Sequence, residues 1–110
     1  MRATESTTPL VEPETDIKTR MLPPYHVIIE NDDHHSMHFV VMVLRKVFGY
    51  AEEHSIQLML VAHTKGEAVV WTGSKEVAEF KLEQIQTFHE KHSVDQRELG
   101  PLRCRIEPAS

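Results

Sequence analysis

A chain of 110 residues with 40% apolar side chains has room for one domain with a single modest core, and its net charge of −5 argues against nucleic acid, which calls for a basic face. The single cysteine, Cys104, excludes an intrachain disulfide and suits a reducing, cytoplasmic setting, where it reads as a structural thiol in a short apolar strand. No run approaches the length that crosses a membrane, and the Thr-, Glu- and Pro-rich start has no signal-peptide core.

Residues 1–23 carry few large apolar side chains and are expected to form a flexible tail. Pro23-Pro24 disfavours helix and opens a domain spanning 24–108. Tyr25 to Glu30 is rich in β-branched residues and predicts a strand. Asn31-Asp32-Asp33 stops it, because these side chains compete for nearby backbone groups and favour turns. Ser36 is a candidate N-cap for a helix whose apolar stripe is Met37, Val40, Val41, Leu44 and Phe48, with Gly49 as the stop.

A second helix is predicted from about Ala51, with Glu52 and Glu53 placed where the macrodipole favours acids. Its expected inner face is Ile56, Met59, Leu60 and His63, and Gly66 ends it before a strand over Ala68 to Trp71. Gly73-Ser74 opens a third helix with Ala78, Leu82, Ile85 and Phe88 on one side and His89 and His92 on the polar side. A polar loop from Ser93 to Gly100 leads to Pro101 and a last strand in which Leu102, Cys104 and Ile106 alternate with Arg103 and Arg105. The order β-α-α-β-α-β predicts an α+β fold: a small sandwich with a three-stranded antiparallel sheet packed against three helices.

Eight histidines invite a search for metal ligands. His34 and His38 stand at i,i+4, yet the pattern lacks the Glu of a HExxH metallohydrolase, and His34 precedes the helix, so no metal site and no cofactor is expected. Asp32-Asp33 reads as a turn with a helix-entry charge. No phosphate-binding loop, nucleophile elbow or dinucleotide fingerprint occurs, so the chain reads as a binding module and not an enzyme. Taken singly, Met37, Met59 and Leu102 are core residues, and His63 is a semi-buried histidine.

Together these residues carry a resemblance. Asn31-Asp32-Asp33 followed by Met37 and Phe39-Val40 resembles the Asn-Asp-Asp-x-x-x-Met-x-Phe-Val segment of the ClpS adaptors. Gln57-Leu58-Met59-Leu60-x-x-His63-x-x-Gly66, Lys81 within Glu76 to Lys81, and Pro101-Leu102-x-Cys104 resemble three further blocks of that family, in the same order. The resemblance implies a bacterial adaptor of the Clp protease, acting as a monomer without binding nucleic acid or membrane. Such adaptors bind N-degron proteins that begin with Phe, Tyr, Trp or Leu and pass them to the ClpA or ClpC unfoldase for degradation by ClpP. Asn31, Asp32 and His63 are implied to hold the substrate α-amino group, with Asp33 supporting the turn. His35, Met37, Val40, Met59, Ala62 and Leu102 are implied to line the side-chain pocket, and His34, Glu76 and Lys81 to contact the unfoldase.

The chain departs from the family pattern at His34, at His35, where Thr is usual, at Ser36, and at Ala62, where Val is usual. The loop before Pro101 is also longer than typical. Ala62 adds room, so aromatic first residues are expected to be preferred over Leu. Two other classes stay open on sequence grounds: an unfoldase-binding modulator without recognition of the first residue, and a histidine-based metal protein or hydrolase.

Overall fold

The computed structural model describes residues 22–32, 34–91 and 98–109. The expected tail up to residue 21, Asp33 and His92 lie outside them. Strand β1 (Tyr25–Glu30) leads through a short turn to α1 (Met37–Phe48), then α2 (Glu52–Lys65), β2 (Glu67–Gly73) and α3 (Lys75–Gln86). A hairpin of β3 (His89–Lys91) and β4 (Glu98–Pro101) precedes the last strand, β5 (Cys104–Pro108). The main sheet is antiparallel with order β2-β1-β5, and the predicted α+β arrangement of three strands and three helices is present.

Local chemistry accounts for the element ends. Ser36 is extended, and its hydroxyl accepts from the Phe39 N–H, satisfying one of the free donors at the start of α1. Ser74 does the same for α3 through Val77 N–H. Gly49 and Gly66 end α1 and α2 at φ +72° and +94°, a left-handed conformation that side chains with a Cβ resist.

Helix α2 packs on β2, α3 crosses β1 and β5, and α1 lies against both other helices. Val27 and Ile29 of β1 meet Phe39, Val43, Leu44 and Val47 of α1 in the core. The face of α1 is therefore rotated from the predicted stripe. Its sequence, MHFVVMVLRKVF, is apolar almost all round, so periodicity leaves the phase open and packing chooses it. Met37 is 47% exposed as a result.

Helix α2 shows the same ambiguity. Ile56, Leu58, Met59, Leu60, Val61 and Ala62 surround its axis, and contact with β2 and α1 selects Ser55, Met59 and Ala62 as the buried line. Leu60 and His63, both expected inside, are exposed, Leu60 at 45%, because the buried line falls on the side of Ser55, Met59 and Ala62.

The hairpin corrects three further expectations. Part of the predicted polar loop, Glu98 to Gly100, is strand. His89 lies on β3 and not on α3. Leu102 falls between β4 and β5, outside the last strand. These short polar strands have no apolar alternation to announce them, and their pairing joins His89 with Pro101 and Lys91 with Glu98 across the intervening loop.

Candidate functional site

The turn after β1 is tied down at both ends of Glu30-Asn31. Glu30 N–H donates to the Arg103 carbonyl at 2.9 Å, and Asn31 N–H donates to the Gly66 carbonyl at 2.9 Å. The second bond fastens Asn31 to the end of α2, whose last turns carry Met59, Ala62 and His63. Asn31 and His63 thus share one rim although separated by most of two helices in sequence.

Asp32 organises the rest of the turn. Its Oδ1 accepts from the backbone N–H groups of His34 (2.9 Å) and His35 (3.0 Å), an arrangement in which a carboxylate replaces a backbone carbonyl. His35 Nδ1 lies 3.0 Å from Oδ1 and 3.1 Å from Oδ2. Both side chains are 5% exposed. Burial alone would raise the Asp32 pKa. The His35 side-chain hydrogen bond, the His35 and His34 N–H groups and the His35 charge outweigh it, and the pKa is lowered. With Oδ1 crowded by three donors, Oδ2 is the oxygen with capacity left.

A cavity of about 300 Å³ opens beside this turn. That is the small end of the range for ligand pockets and is suited to one side chain. Asn31, Asp32, His35, Met37, Val40, Met59, Ala62, His63 and Leu102 all line it. Val40, Met59, Ala62 and Leu102 supply apolar wall, while Asn31, Asp32 and His63 bring an amide, a carboxylate and an imidazole. Met37, partly exposed, belongs to the mouth.

Ile29, Glu30 and Ser36 also line the cavity and were not assigned to it from the sequence, where Ser36 was read as the helix cap. Their adjacency to Asn31 and Met37 was the available signal. Glu90 and Gly100 were missed for a different reason: they join the turn only through the hairpin. Ser36 N–H and Oγ donate to the two Glu90 carboxylate oxygens at 2.9 and 2.6 Å, and His35 Nε2 lies 2.7 Å from the Gly100 carbonyl oxygen.

The remaining sequence candidates sit apart from the cavity. The exposed His34 is on the turn, with its backbone N–H on Asp32. Glu76 is exposed in the first turn of α3. Lys81 reaches the opposite end of α1, donating to the Val47 carbonyl at 2.9 Å above the Phe48 ring. Among the described residues no group of three or more His, Cys, Asp or Glu side chains is arranged to hold a metal ion, and no helix is long and apolar enough to cross a membrane. Burial and then the nearby Glu30 charge push the Cys104 thiol up to about 11, so it is a poor nucleophile.

The site of this domain is thus a side-chain-sized apolar cavity with polar acceptors at its rim, carried on a small α+β sandwich. The comparisons with known proteins place that domain. The sequence profile of the ATP-dependent Clp protease adaptor protein ClpS matches residues 20–105. The ATP-dependent Clp protease adapter protein ClpS of Roseobacter denitrificans is 40% identical over 93 residues, covering 84% of this chain and 77% of that protein. The ClpS of Salmonella arizonae is 38% identical over 98 residues, 87% of each chain. The structure of Agrobacterium tumefaciens ClpS2 bound to L-phenylalaninamide aligns with a TM-score of 0.64 at 31% identity, over 78% of this chain and 96% of that one. The chain belongs to the ClpS family of Clp protease adaptors. It is an adaptor and not itself a protease.

Proposed function

We propose that this adaptor recognises proteins by a free α-amino group together with a bulky hydrophobic first residue, Phe, Tyr, Trp or Leu. It then delivers them in the cytoplasm to a ClpA or ClpC unfoldase for degradation by ClpP, acting as a monomer with residues 1–23 as a delivery tail. One observation carries the reading: Asn31, Asp32 and His63 converge on the rim of an apolar cavity of about 300 Å³.

An ammonium offers three N–H donors, and the rim supplies an amide oxygen, the free capacity of Asp32 Oδ2 and an imidazole nitrogen. Hydrogen bonds from a charged donor are roughly twice as strong as neutral ones. Burying an aromatic or Leu side chain against Val40, Met59, Ala62 and Leu102 adds about 1.5–3 kcal/mol. The related ClpS2 was solved with L-phenylalaninamide, a compound that pairs a free amine with an aromatic side chain. His34, Glu76 and Lys81 are assigned to the unfoldase-facing surface.

Fluorescence anisotropy with a Phe-initiated peptide and its N-acetylated twin tests the proposal. Acetylation should weaken binding by about 100-fold or more, because it removes the cation and two of its donors. Equal affinity for the two peptides, or binding of neither, would refute it.

A further inference from the structure

Both ring nitrogens of His35 face oxygen acceptors. Nδ1 lies 3.0 and 3.1 Å from the two oxygens of Asp32, and Nε2 lies 2.7 Å from the Gly100 carbonyl oxygen. A neutral imidazole has one donor and one acceptor, so either tautomer sets a lone pair against an oxygen. Only the imidazolium donates to both sides. The side chain is 5% exposed and stacks on Phe39 at 5.1 Å between ring centroids, so solvent has little access to the ring.

The ring links the turn to the segment that leads into a wall residue. Asp32 belongs to the turn, whereas Gly100 stands two residues before Leu102, whose buried side chain is a wall residue. Pro101 between them restricts the backbone, so the position of Gly100 is passed on to Leu102. A second contact runs alongside: Glu90, on the strand paired with β4, accepts from Ser36 N–H and Oγ.

Building on the recognition reading given above, we propose that His35 is a positioning residue for first-residue selection. Its imidazolium clasps the β3–β4 hairpin onto the turn, sets the width of the cavity at Leu102, and so makes the choice among first residues depend on pH. Loss of the second ring proton turns one hydrogen bond into lone-pair repulsion. Gly100 is then released, the Leu102 wall gives way, and large side chains gain more than small ones. The clasp is closed on the acid side of the ring's titration and open on the alkaline side.

The ionisable groups near the ring are Asp32 and His34 on its own turn and, lining the same cavity, Glu30 from β1 and His63 from α2, while Glu90 from β3 holds the neighbouring Ser36. Glu30 is paired with Arg103 and Arg105 at 3.1 and 3.0 Å. Asp32 is therefore the carboxylate in direct contact with the ring.

Two measurements on the full chain test this. Nitrogen-15 NMR of histidine-labelled protein should show both His35 ring nitrogens protonated at about pH 6. Peptides that differ only in their first residue share one amine, so any titration at the amine site cancels in their affinity ratio. The Trp-to-Leu ratio should rise about tenfold between about pH 6 and pH 8, the size of a one-methylene misfit in an apolar pocket. In His35→Gln, whose amide still donates but does not titrate, the ratio should not move with pH. A bare His35 ring nitrogen at about pH 6 overturns the proposal, as does a ratio that is constant in the wild type or shifts equally in His35→Gln. If free and acetylated peptides bind alike, the recognition reading has failed instead, and the ring spectrum alone decides whether the clasp exists.

Discussion

The two ends of α1 are built from similar chemistry and serve different ends. At the N-terminus, Ser36 caps the helix while the carboxylates of Asp32 and Glu90 gather where the macrodipole is positive. At the C-terminus, Gly49 N–H returns to the Arg45 carbonyl, and Lys81 donates to the Val47 carbonyl over the Phe48 ring, where the dipole is negative. Charge complements the helix at both ends, so charge alone marks neither as a site. The difference lies in the space alongside. The first end borders a cavity of about 300 Å³ with apolar walls and acceptors on its rim, whereas the second borders a wider, more open groove along Val41, Arg45, Lys46, Gly49 and Tyr50. A polar cluster at a helix end is therefore structural by default, and is a candidate recognition site where the adjoining space is side-chain-sized and apolar-walled with unspent acceptors at its edge.

Asp32→Ala attacks the first end most directly. It strips the acceptor from the His34 and His35 N–H groups and the His35 ring, and should cost about 2–4 kcal/mol in denaturant unfolding while abolishing peptide binding. Lost stability with binding intact would leave Asp32 as a turn residue only. The pH dependence has a definite sign. Because the folded-state pKa of Asp32 is lowered, its contribution is complete above the ordinary aspartate value of about 3.9 and fades as pH falls through the lower folded value. The stability gap between wild type and Asp32→Asn should shrink over that acid range.

Ser36→Ala should follow, at about 1–2 kcal/mol, through loss of the N-cap and of the hydroxyl bond to Glu90. Thermal melts measure it. At the other end, Lys81→Met keeps the stem but removes the bond to Val47, at a cost of about 1 kcal/mol with peptide affinity unchanged. Glu76→Ala, at an exposed position, should leave stability alone. If the unfoldase-contact assignment holds, both variants lower capture by the unfoldase beyond any loss of folded protein. Capture that simply tracks the folded fraction would reduce Lys81 to a helix cap.

Ala62→Val is the mildest change. It narrows the cavity wall and should move preference from Trp and Phe towards Leu by about tenfold or less, read in competition binding. No movement would place the discrimination elsewhere, with His35 and Leu102 the next positions to vary.

Much of the frame was legible in the chain. Tyr25–Glu30, the Ser36 and Ser74 caps and the Gly49 and Gly66 stops all appear where local preferences put them, because each is decided within a few residues. Which side of α1 and α2 turns inward was not, since apolar residues ring both helices and periodicity names no face. That uncertainty bears on the site: Met37 was drawn into the core stripe, and the structure puts it at the mouth.

By itself the sequence determined the order of the three helices and the three strands of the main sheet, the family blocks and the residues Asn31, Asp32, Met37, Met59, His63 and Leu102 that end up at one cavity. Only the tertiary structure decided how they are held. The bonds from His35 to Gly100 and from Ser36 to Glu90 span 65 and 54 residues and run through a polar hairpin without an apolar pattern. Such contacts depend on where two distant backbones come to rest, and residue type carries no record of that until the core has packed.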